Sequence, residues 1–262
     1  LDIDRHLNRS TAFDKIISAT HDHFWDPLDT RYIDFSEPFD MENEAMLPDW
    51  MVPALETDLL KAHFADDPKG RIRFINESAR WQLSAILHGE QGALSLSASL
   101  CHVLARWGSA MECGFILRNV MVEIVHAPEV YKKIVGMQML IEGLAMGAFA
   151  TMFKESRDPL LRKLTQLVMT DEAFHHKFGK IWADRTIPKL DEKEHAIVED
   201  WAAHCFQTLL FNLINPEQMK DMYASFGLDW QQVMVEFTKI ATDEERRARM
   251  KESTNIFRVL VK

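Results

Sequence analysis

Leu140-Ile141-Glu142-Gly143-Leu144 sets a carboxylate inside the longest apolar run of the chain, Met137 to Phe153, and thirty residues later Asp171-Glu172-Ala173-Phe174-His175 sets a second one. Burying an unpaired carboxylate costs several kcal/mol, so an acid in such surroundings is exposed, paired, protonated or bound to a metal. Two further acids share the pattern: Glu90 in Ile86-Leu87-His88-Gly89-Glu90 and Glu123 in Met121-Val122-Glu123-Ile124-Val125-His126. Each of the four falls on its own long stretch of helical periodicity.

Glu123 with His126, and Glu172 with His175, form Glu-x-x-His units. A step of three returns a side chain to nearly the same helix face, so each pair can reach one ion. A carboxylate and an imidazole per ion, with Glu90 and Glu142 free to bridge, is the donor set of a di-iron or di-manganese carboxylate centre. The spacing adds geometry. Glu90 and Glu123 are 33 residues apart, with a turn signal near Trp107-Gly108, and Glu142 and Glu172 are 30 apart, with Asp158-Pro159 midway. At ~1.5 Å per residue each ligand stands ~20 Å from its turn, so the two of each antiparallel hairpin meet at one level.

The rest of the chain fits an all-α protein. Among 262 residues there are only 10 Gly and 9 Pro against 14 Met and 16 Phe, a composition poor in helix breakers. No strand-like alternation of useful length occurs. The periodicity predicts helices over Thr11 to His23 and Trp50 to Ala65. Long runs follow from Arg71 to about Trp107, on to Val125, from Tyr131 to Lys154 and from Pro159 to Arg185, with Asp158 as N-cap. Shorter helices are expected over Asp191 to Leu213, Pro216 to Phe226 and Asp229 to Thr242. The expected organisation is one domain over 1–262: a helix and extended arm in 1–50, a four-helix metal-binding core in 71–185, and C-terminal helices in 189–262. The aromatics of the arm (Phe24, Trp25, Tyr32, Phe35, Phe39) are expected to pack on the body.

A formal charge of −10 disfavours a nucleic-acid backbone as partner. Cys101, Cys113 and Cys205 lie far apart, which speaks against a disulfide framework or a zinc knuckle and for a reducing compartment. The apolar run Met137–Phe153 reads as too short for a membrane span, and no secretory signal is visible, so a cytoplasmic location is expected.

At Gly89-Glu90, Glu123-x-x-His126, Glu142 and Thr170-Asp171-Glu172-x-x-His175 the chain resembles the ferritin-like di-iron carboxylate superfamily. It is most similar to the oxygen-activating branch of bacterial multicomponent monooxygenase hydroxylases and ribonucleotide reductase small subunits. The resemblance covers roughly 71–185. It implies a ferritin-like four-helix bundle with added terminal helices, and metal ligands Glu90, Glu123, His126, Glu142, Glu172 and His175. It also implies that Asp171 orients a ligand histidine, namely His126. His176 points about 100° off the ligand face and belongs to the surroundings or the surface.

Three features depart from the superfamily pattern. Pro128 lies two residues past His126, where a helix normally continues. Only 19 residues separate Glu123 from Glu142, too few for a long crossover, which makes Glu112 a reserve ligand. Position 130 is Val where the reductase subunits carry a radical tyrosine, and Tyr131 is rotated off that face.

The resemblance implies two Fe, with Mn or a mixed pair as alternatives, and O2 as co-substrate. The activity expected is oxidation of a small apolar or aromatic substrate by hydroxylation, N-oxygenation or desaturation, with electrons from an external reductase or ferredoxin. The chain is expected to work without nucleic acid or membrane, and a homodimer fits by analogy. Met146, Phe149, Ala150 and Phe153 continue the Glu142 face, Leu94 and Ser97 that of Glu90, and Phe174 and Phe178 flank His175; these, with the small residues at 143–150, are the expected pocket lining. A ferroxidase and a non-catalytic helical protein are the other readings of the same residues.

Overall fold

Asp158 accepts a hydrogen bond from the Leu160 amide at 2.9 Å and Pro159 follows at the first helical position, so a 28-residue helix starts where the sequence places it. The computed structural model describes residues 14–22, 25–26, 29–89, 120, 122–124, 126–213 and 215–240. Its helices are α1 (Asp14–Asp22), α2 (Asp58–His63), α3 (Pro68–Gly89), α4 (Val130–Glu155), α5 (Pro159–Thr186), α6 (Glu192–Leu213), α7 (Lys220–Ser225) and α8 (Trp230–Ile240). A short helical turn at 122–124 and 126 precedes α4, and no strand occurs among the described residues. The all-α expectation holds.

Two elements differ from the predicted ones. The single helix expected over Trp50 to Ala65 is broken into 3₁₀ turns at Asp49–Met51 and Pro53–Glu56 before α2. Pro53 cannot continue a preceding turn, and Thr57 restarts the chain as an N-cap by accepting from the Leu60 amide at 3.2 Å. The second difference lies in α4, where Ile134–Ile141 is π-helical and the Glu142 amide donates to the Met137 carbonyl five residues back.

The principal core gathers Ile33, Met46, Phe74, Phe149, Leu164 and Tyr223 with their neighbours, joining the arm, α3, α4, α5 and α7. The arm packs in part as expected: Trp25, Phe35 and Phe39 are partly buried against this core, Tyr32 is 37% exposed, and Phe24 lies outside the described residues. Asn76 of α3 pins the arm. Its side-chain amide donates to the carbonyls of Met41 and Glu44 at 3.0 Å each, and its oxygen accepts from the Met46 amide at 2.8 Å. A second cluster of Tyr131, Ile134, Val135, Trp182 and Val198 ties the start of α4 to α5 and α6.

Helices α4 and α5 run antiparallel. Glu142 lies opposite Glu172, and Gln138 lies opposite His176, so four residues back along one helix match four residues forward along the other. The backbones approach closely, since a Cβ on Gly179 would stand 2.9 Å from that of Gln138. By length and composition α4 passes for a bilayer-crossing helix: it has 26 residues, and an 18-residue window averages a hydropathy of 1.4, longer than the apolar run read from the sequence. The same properties suit a core helix, and 39% of the window is buried within the fold, so they assign no membrane.

Candidate metal centre

The α4–α5 hairpin carries the two central acids to the same level, as their equal distance from Asp158-Pro159 requires. The Glu172 side chain is 4% exposed and that of Glu142 13%, while His175, one turn on from Glu172, is 47% exposed. His175 Nδ1 stands 3.0 Å from Glu172 Oε2 and 3.7 Å from Glu142 Oε1. One donor atom from each of the three lies within 4.8 Å of the others. The cluster is closed on the helix-packing side and open at the imidazole.

Burial pushes the Glu172 carboxyl up, but hydrogen bonds from His175 and Glu142, with the charge of the imidazole, pull it down further, and it ends below its ordinary 4.5. Two carboxylates and one imidazole nitrogen converging on one point suit a divalent ion of the iron or manganese kind. The residues present therefore fit an ion at Glu142, Glu172 and His175.

The structure does not bring the other Glu-x-x-His unit to this point. Glu123 and His126 are exposed, and His204 of α6 donates from Nε2 to Glu123 Oε2 at 3.1 Å. The physical reason is local. The helix carrying them ends at His126, Pro128 lies in the bend that follows, and α4 begins afresh at Val130. Glu90 and the reserve ligand Glu112 lie outside the described residues, as do Leu94, Ser97, Cys101 and Cys113.

Other expected roles change as well. Asp171 does not turn to His126: its Oδ2 accepts from Trp25 Nε1 of the arm at 2.7 Å. His176 donates from Nδ1 to the Gln138 carbonyl at 3.2 Å, so it faces the α4 backbone. Phe149 is a core residue at 1% exposure rather than a pocket wall, and Phe178 is 37% exposed on the same side as His175. Neither Trp25 nor His204 was legible as a partner, since both lie far from these acids in sequence and only the fold joins them. The Cys205 thiol, next to His204, is pushed up to about 12 by burial and by the charge of Glu123.

In comparisons with family models, with curated proteins and with solved structures, nothing matches this chain. What the fold and the geometry define on their own is an all-α chain with two largely buried carboxylates and a half-exposed imidazole converging between two antiparallel helices.

Proposed function

We propose that the chain is an O2-dependent di-iron oxidoreductase whose centre is built on Glu142, Glu172 and His175. The observation that carries this reading is the convergence of these three side chains at one level of the α4–α5 hairpin. In this reading the hairpin supplies half of a ferritin-like four-helix bundle; of the sequence candidates for the other half, Glu123 and His126 stand away from this point, which leaves Glu90. Iron, or manganese in its place, supplies the reduction of O2 when bound. Glu142 and Glu172 contribute the negative charge that favours the oxidised metal, and His175 contributes a neutral nitrogen through Nδ1.

The open side of the cluster, beside His175 and Phe178, is where a small apolar or aromatic substrate reaches the centre. Gly143 and Gly147 are buried with little side-chain bulk, which favours substrate close to Glu142. Electrons come from an external reductase or ferredoxin in this reading, and the protein works without nucleic acid or membrane, in the cytoplasm, with homodimer formation as an accessory expectation.

The contact between Glu123 and His204 favours a second reading, a centre with one ion. Both readings share the ion at Glu142, Glu172 and His175 and differ in the number of metals. The test is O2 uptake after anaerobic loading with Fe(II). The proposed function predicts rapid uptake by the wild type and at least a tenfold loss in Glu142→Gln, a variant that keeps shape but not charge. Uptake by both at the rate of free Fe(II) contradicts it.

A further inference from the structure

We infer that His176 is a positioning residue for Glu142, acting through the π-helical stretch of α4; the inference rests on the proposed metal centre. An i→i+5 turn holds one residue more than an i→i+4 turn. Relaxing Ile134–Ile141 to an α-helix would therefore rotate Glu142 by about 100° relative to the Tyr131 end of the helix. Either Glu142 would leave the level of Glu172, or Tyr131, Ile134 and Val135 would leave their cluster with Trp182.

The π stretch needs support from outside, because its own hydrogen-bond pattern is rare and locally unfavourable. Helix α5 gives that support at two points. His176 Nδ1 donates to the Gln138 carbonyl inside the stretch at 3.2 Å. One turn on, Gly179 leaves room for Gln138 and Met139, which a Cβ would meet at 2.9 Å and 3.0 Å. The adjacent histidines of α5 thus divide the work. His175 faces the carboxylates, and His176 holds the backbone four residues before Glu142.

The experiment compares wild type with His176→Leu and His176→Asn, reading Mn(II) affinity by electron paramagnetic resonance. Amide hydrogen exchange over 134–142 is read alongside in metal-free protein. An asparagine Nδ2 stands close to where histidine Nδ1 does, so it restores the bond that leucine removes. The expected result for His176→Leu is Mn(II) binding weakened about tenfold and faster exchange over 134–142, with both returned to near wild type in His176→Asn. Gly179→Ala, which keeps His176 but pushes on Gln138, is expected to reproduce the leucine effect and serves if His176→Leu does not fold.

Mn(II) binding by His176→Leu or Gly179→Ala within twofold of wild type overturns the inference. If the wild type itself binds no Mn(II), the metal centre fails. The exchange measurement then still decides the positioning claim, and unchanged exchange over 134–142 overturns it.

Discussion

The chain contains two Glu-x-x-His units of identical spacing, and the fold treats them in opposite ways. Glu172 is buried, lies against Glu142 and holds His175 at 3.0 Å; Glu123 is half exposed and meets a histidine from another helix. The difference does not lie in the motif. Glu172 sits on a helix whose partner, joined by a short capped turn, delivers another acid to the same level. Glu123 sits at a helix end closed by Pro128, facing α6. A carboxylate–imidazole spacing is thus an invitation to bind metal, and the packing of the opposite helix decides whether it is taken up.

The contrast is sharpened most by removing each acid in turn. Glu172→Ala is expected to weaken Mn(II) binding by at least about 100-fold, since it deletes a charged donor, whereas Glu123→Ala leaves the affinity of the ion at Glu142 within about twofold. Isothermal titration checks both. Equal losses would place Glu123 at the same ion and break the comparison.

The buried acid brings a pH dependence of its own. Because the Glu172 carboxyl is held below 4.5, its contribution to stability is present above that value and lost as pH falls through the lowered folded value. Urea unfolding of metal-free protein is expected to show wild type ahead of Glu172→Gln at pH 7, with the gap closing below pH 4.5. A gap that widens on acidification would contradict the lowered Glu172 carboxyl.

A smaller effect comes from the turn that sets the level of the buried pair. Asp158→Ala removes the cap on Leu160 and is expected to cost ~1 kcal/mol by chemical unfolding. The smallest belongs to the exposed pair. His204→Ala is expected to change stability by less than ~1 kcal/mol, because its bond to Glu123 is made in solvent.

Local rules made much of this readable. The Asp158-Pro159 start of α5 and the meeting of Glu142 with Glu172 follow from capping and helical rise, while Pro128 left open whether the preceding helix kinks or ends. What lay beyond reading depends on contacts between distant segments. Nothing in Ile134–Ile141 announces a π-helix, and the stretch makes sense only once His176 and Gly179 of α5 are seen against it. Asp171 looked like a partner for a ligand histidine and instead receives Trp25 from the arm. The helix read over Trp50 to Ala65 breaks at Pro53, because a periodicity reading does not weigh the hydrogen bond that a proline removes.

The central claim is an ion at Glu142, Glu172 and His175, and the most direct test is elemental analysis of protein produced with ample iron. The account predicts at least one iron or manganese per chain, lost in Glu142→Ala with the helical content retained. Two per chain would support the di-iron reading and one the single-ion reading. A wild-type protein that carries no metal, or a variant that keeps all of it, would contradict the account.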